Sequence, residues 1–259
     1  MVIIKNDLDL KLRIAENEAA KIIEKYGISM AEHIRLKDIA YDLGVIVLEG
    51  PLRGAAASLV RVGKNATIRI SLSGSYERKN FSIAHELGHF ILNHGDSVQR
   101  FCSDEDMQKW HKAQEETEAN FFAGELILPK KLIEKKCDVK KINFSPVKKI
   151  AEEFKASLTA TTIRFVRFCP EKCAVVFSQD ANIKWFYKSE DWWPFIHIGQ
   201  KLDARTIAFD FFKGNELPNE SVGVEADAWV EGSRLDEIIE HSIGSRELNF
   251  VLSLLWIKP

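Results

Sequence analysis

The chain has 259 residues, of which 46% are hydrophobic and 29% charged, with a formal net charge of −2 at pH 7. That length holds one large or two medium domains with real cores, and the balanced charge excludes the global basic excess that advertises nucleic-acid binding. No stretch approaches a membrane span and residues 1–7 lack a signal-peptide core, so the expected location is the cytoplasm and the expected thiols, Cys102, Cys137, Cys169 and Cys173, are reduced.

In chain order, residues 9–26 place Leu10, Ile14, Ala19, Ile22 and Ile23 at helical spacing among charges. A second short helix is predicted over 34–43, ended by Gly44, and a strand over 45–48. Residues 57–62 and 67–71, around a turn at 63–65, read as a hairpin. The small residues Gly54, Ala55, Ala56 and Ala57 beside it permit close approach of a substrate backbone as an added strand. A plain structural hairpin accounts for them equally well.

The next helix carries His85-Glu86-Leu87-Gly88-His89. Positions i and i+4 share a helical face, so both imidazoles can address one ion, with Glu86 between them to handle the proton of a metal-held water. Apolar residues surround the motif on nearly every side, which predicts a buried helix. Buried His and Glu groups need partners, and a metal supplies one. Gly88 costs about 1 kcal/mol of helix propensity against Ala, so it predicts another element packed closely on that turn.

Residues 95–113 are polar and read as a connection near the cleft. His94, His111 and Tyr76 lie around it or upstream, each a candidate to polarise a scissile carbonyl and each also a common surface residue. The following helix, 114–128, has an apolar stripe of Ala119, Phe122, Ala123 and Leu126. Glu116 extends that stripe inward and is the leading candidate for third ligand, with Glu118 the alternative. Asn120, one turn after Glu116, is placed to accept the second ring N–H of a metal-binding histidine. Glu115 and Glu125 are expected on the solvated face.

Residues 130–149 are rich in lysine, interleaved with Glu134 and Asp138, and read as a solvated helical face rather than a DNA surface. After Pro170 the texture changes. Residues 174–178 and 183–187, around the turn 179–182, form a probable hairpin, and 226–230 and 248–256 read as further strands. Five of the six tryptophans fall here, filling a core or lining a small-molecule pocket.

Two blocks together resemble the ImmA/IrrE family of metallopeptidases: Arg78 with Phe81-Ser82-Ile83-Ala84-His85-Glu86-Leu87-Gly88-His89, then Glu116-x-Glu118-Ala119-Asn120-x-Phe122-Ala123-x-Glu125-Leu126-Ile127-Leu128-Pro129. Residues 154–165 resemble the helix-turn-helix-like stretch that follows the peptidase core in IrrE-like members, and the aromatic C-terminal part resembles their GAF-like domain. The resemblance implies an α+β chain with a gluzincin-like peptidase domain at 1–130, a helical segment at 131–168 and a GAF-like α/β domain at 169–259. It implies His85, His89 and Glu116 as ligands of Zn2+ (Mn2+ or Fe2+ being alternatives) and Glu86 as catalytic acid/base. The implied substrate is a helix-turn-helix repressor, cut in a stress or mobile-element response, with no direct nucleic-acid or membrane contact expected. A metal-binding sensor or scaffold without turnover and a DNA-binding regulator are the competing readings.

Overall fold

The computed structural model of the chain describes residues 2–52, 55–94, 99–102, 114–232 and 234–258. Among them are eight α-helices and nine strands in two sheets, a mixed α+β architecture. The chain divides into two compact units: residues 1–132 with 152–157, and residues 133–151 with 158–259. No described helix is long and apolar enough to cross a membrane.

The first unit opens with α1 (Val2–Lys25), which buries Ala19, Ile22 and Ile23 as their spacing predicts, together with Ala15, whereas Leu10 and Ile14 of the same expected stripe are exposed. Helix α2 (Leu36–Asp42) ends at Gly44, whose φ of +81° lets the chain reverse into β1 (Val45–Gly50). The hairpin is present as β2 (Ala57–Val62) and β3 (Asn65–Ser71), joined by a two-residue turn. β1 joins β3 in parallel, and β4 (Gln99–Cys102) adds to the other side of β2, giving the order β1-β3-β2-β4. β4 lies where a plain connection was expected: a four-residue edge strand is stabilised by its neighbour's backbone groups and leaves little trace in its own side chains. Residues 53–54, 95–98 and 103–113, with Gly54 and His111, lie outside the described residues.

Over this sheet runs α3 (Tyr76–Ile91), against which α4 (Gln114–Ile127) packs, and α1 packs on α4 as well. Phe122, Leu126 and Leu87 are fully buried between these layers. Each such side chain contributes about 1.5–3 kcal/mol relative to exposure. The reading of Glu125 as solvated is corrected here. Its side chain is buried and its Oε1 accepts from the Lys130 backbone N–H at 3.1 Å, capping α5 (Lys130–Cys137). Glu115 is half-buried.

Helices α6 (Phe144–Phe154) and α7 (Leu158–Phe168) follow, with Lys155 at φ +49° in the turn between them. Lys135, Lys136, Lys140, Lys141, Lys148 and Lys149 are exposed, as a solvated face requires.

The second unit is built on an antiparallel sheet of β5 (Cys173–Gln179), β6 (Asn182–Lys188), β7 (Val222–Glu225), β8 (Glu237–Ser245) and β9 (Phe250–Trp256), in the order β6-β5-β9-β8-β7. The β5–β6 turn holds Asp180 and Ala181 at φ +53° and +57°, the pair of left-handed residues that matches strand twist. Residues 226–230, expected as a strand, instead form a 3-10 turn at Ala226–Ala228 that buries Trp229. Trp192 and Trp229 fill the core beside α8 (Ile207–Phe212), whereas Trp193 is exposed.

One carboxylate, Glu240, sits in that core. It accepts from Ile207 N (3.0 Å), Ala208 N (2.7 Å), Trp229 Nε1 (2.7 Å) and Ser242 Oγ (2.7 Å). Burial pushes its pKa above the ordinary 4.5 despite these four donors.

Candidate metal centre

Helix α3 starts at Ser75, whose hydroxyl accepts from Arg78 N at 3.3 Å. Its second half, Ser82 to His89, is buried throughout. His85 and His89 are both fully buried, and their Nε2 atoms lie 3.0 Å apart. Glu116 reaches across from α4. Its Oε2 is 3.1 Å from His85 Nε2 and its Oε1 is 3.4 Å from His89 Nε2. Among the described residues these three form the one group of His, Cys, Asp and Glu side chains with ligand atoms close enough to hold a metal ion.

The donor set fits a divalent cation. Ligands about 2.0–2.1 Å from a tetrahedral zinc stand about 3.3 Å apart, close to the observed spacings. Proton bookkeeping points the same way. Asn120 Oδ1 lies 2.9 Å from His85 Nδ1, and a carbonyl oxygen only accepts, so that ring nitrogen carries the proton. His85 Nε2 therefore presents its lone pair to the group. Lone pairs and a carboxylate facing one another require positive charge among them, as a proton or a metal. Burial alone would raise the pKa of Glu116, but the two imidazoles facing its carboxyl outweigh burial and hold it well below the usual carboxylate range.

Glu118, the alternative ligand, is elsewhere. Its Oε2 lies 2.9 Å from His94 Nε2, and its Oε1 accepts from Gln114 Nε2 at 2.8 Å. His94 Nδ1 in turn lies 2.9 Å from His89 Nδ1. The end of α3 explains that placement. Asn93 adopts φ +54°, His94 N–H bonds His89 O at 3.0 Å and Asn93 N–H bonds Phe90 O at 3.4 Å, the paired bonds of a Schellman turn. The turn folds His94 back beneath His89. Arg61 of β2 holds it, donating to Asn93 Oδ1 at 2.7 Å and to the Phe90 carbonyl.

Glu86 lies between His85 and His89 in sequence and is fully buried. Tyr76 does not reach the group: it is exposed at the first turn of α3, nine residues before His85, or roughly 13 Å along the helix. His94 is close, yet it faces the back of His89 rather than the ligand atoms. Its signal was present in the sequence as a histidine following Asn just past a helix end, but the partner it meets depends on that turn.

Gly88 explains how the two helices meet. A Cβ there would lie 3.2 Å from Ala119 Cα and 3.1 Å from Phe122 Cδ1, so any larger residue requires α4 to give by a few tenths of an ångström.

Comparison with known proteins agrees with this geometry. Residues 40–165 match the Peptidase M78 family model, described as an IrrE N-terminal-like domain. No curated protein matches the chain. Among solved structures, a Mycobacterium tuberculosis transcriptional regulator is similar at TM-score 0.59 and 15% identity, covering 94% of this chain and 76% of that one. At that identity the likeness is one of fold.

Proposed function

We propose that this chain, which carries an IrrE N-terminal-like domain over residues 40–165, is a zinc-dependent endopeptidase that cleaves a helix-turn-helix transcriptional repressor. The observation that carries the reading is the convergence of His85, His89 and Glu116, with Glu86 buried on the helix that carries the two histidines.

A divalent cation held there would supply a Lewis acid and lower the pKa of a water beside it towards about 7. His85, His89 and Glu116 would hold it, with Asn120 fixing the first ring. Glu86 takes the proton of the attacking water and passes it to the leaving amine. Residues 169–259 serve as a GAF-like sensor or structural domain, a role compatible with the antiparallel sheet and its aromatic core. The domain limits, 1–130, 131–168 and 169–259, belong to the same proposal, as do residence in the cytoplasm and a stress or mobile-element setting. The exposed lysines of residues 130–149 then keep the chain in solution and do not grip DNA.

The test is incubation of the purified chain with the helix-turn-helix repressor encoded nearest its gene, with and without added zinc. Two repressor fragments appear only with zinc. An intact repressor in both arms, from protein shown to bind the metal, overturns the reading in favour of a regulator that binds metal without turnover.

A further inference from the structure

We propose that His94 and Glu118 form a positioning arm that aims His89 and sets the metal affinity of the site, and that neither contacts the ion. This rests on the metal reading above and goes beyond it, since the arm lies outside the ligand group.

The geometry assigns each proton. When a metal ion takes the lone pair of His89 Nε2, the other ring nitrogen carries the hydrogen and donates it to His94 Nδ1, 2.9 Å away. His94 Nδ1 is then an acceptor, which leaves the proton of the neutral ring on Nε2, 2.9 Å from Glu118 Oε2. The carboxylate is fixed by its second oxygen, which accepts from Gln114 Nε2. With both rings neutral and His89 Nε2 given to the metal, one assignment of donors and acceptors satisfies these links. His94 and Glu118 side chains are 5% and 12% exposed, so little water competes for these bonds.

The two ligand histidines are thus held by different means. His85 leans on a neutral amide, Asn120, and His89 leans on an imidazole backed by a negative charge. A hydrogen-bonded acceptor behind a ligand histidine fixes the ring and strengthens its donor nitrogen, and losing one typically weakens metal binding about 10–100-fold. His89 gains both effects, one from His94 and one relayed from Glu118. The sequence spacing is part of the device. The Schellman turn at Asn93 carries His94 back, while Glu118 lies two residues beyond Glu116 on the same helix, so α4 supplies both a ligand and the anchor of the arm.

The experiment measures Zn2+ affinity of the full chain by competition with a chromophoric chelator, and records the visible absorption of the Co2+-loaded protein. His94→Leu weakens Zn2+ binding about 10–100-fold while the tetrahedral Co2+ bands persist. His94→Asn, which restores an oxygen acceptor of the kind Asn120 offers, recovers most of that loss. Glu118→Gln, which still accepts but carries no charge, falls between wild type and His94→Leu. Nitrogen-15 spectra of Glu118→Gln show altered His94 and His89 ring shifts, which a merely space-filling arm would not produce.

Wild-type affinity in folded His94→Leu overturns the proposal, as does failure of His94→Asn to improve on His94→Leu. Loss of the Co2+ bands in His94→Leu also overturns it, by making His94 a ligand. If His94→Leu does not fold, the ordering of His94→Asn and Glu118→Gln against wild type decides. Affinities in the expected order with an uncut repressor refute the peptidase reading and leave the arm standing. A wild-type chain that binds neither Zn2+ nor Co2+ overturns both.

Discussion

Ala119 stands so close to Gly88 that a β-carbon on Gly88 would lie 3.2 Å from the Ala119 Cα and 3.3 Å from its carbonyl oxygen. That approach sets the distance between α3 and α4, and so the distance from Glu116 to the two imidazoles. Gly88→Ala gains about 1 kcal/mol of helix propensity but forces the neighbouring helix to shift, at about 1–3 kcal/mol. Gly88→Val has no such offset. We expect a modest fall in the urea midpoint for Gly88→Ala and a large one for Gly88→Val, with weaker Zn2+ binding in both. A wild-type midpoint for Gly88→Val would mean that the helices do not meet at this turn.

Glu86→Gln keeps the size and burial of the side chain but loses its capacity to take a proton. Cleavage should fall about 10²–10⁴-fold with Zn2+ affinity within a few-fold of wild type, whereas His85→Ala should lose metal and cleavage together. Stoichiometric zinc in Glu86→Gln with normal cleavage would remove Glu86 from the mechanism.

Metal binding should also stabilise the fold, because the ligands come from two helices that separate on unfolding. At free Zn2+ about 100-fold above Kd the gain is about 2.7 kcal/mol, read as a rise in Tm. Glu116→Gln should cut the rise sharply and Glu118→Gln only slightly, since Glu118 touches the ligand set through His94 alone. Equal losses in the two variants would contradict the observed division of labour.

Glu240 gives the second unit a pH signature. Its folded pKa is raised above the ordinary 4.5, so its contribution to stability is full below the unfolded value and declines as pH rises through the folded one. Denaturant melts from pH 4 upward should show this decline in wild type and not in Glu240→Gln. The variant should also be weaker near pH 4, by about 1–3 kcal/mol, because its amide turns hydrogens towards donors such as Trp229 Nε1 and Ala208 N. A decline of the same size in Glu240→Gln would assign the pH dependence to another group.

The helix of His85 and His89 and the carboxylate that joins them were legible because local periodicity alone sets which residues share a face. His85 and His89 are one turn apart, and Glu116 and Asn120 continue an apolar stripe that had to face inward. Gly88 announced a close neighbour for the same reason, being a poor helix former in a buried helix. The arm behind His89 was not legible. His94 was considered only for the substrate side, and Glu118 only as a rival ligand, because their meeting depends on a left-handed Asn93 and on the angle between two helices. In the second unit β8 was missed altogether. Its centre reads Glu240-His241-Ser242, and these polar residues, all buried, erase the alternation by which a half-buried strand is recognised. The segment 226–230 misled in the opposite sense: Ala226, Trp229 and Val230 are apolar and buried, but they pack from a 3-10 turn and not from a ladder.

The reversal at Asn93 makes the site sensitive to chain length as well as to chemistry. His94 meets His89 because one left-handed residue, at one position after the last helical turn, swings the backbone through a fixed angle. A single residue inserted between Leu92 and His94 would preserve every functional group and still leave the ring of His89 without its brace. The five-residue step from His89 to His94 is therefore as much a part of the arrangement as the two rings themselves.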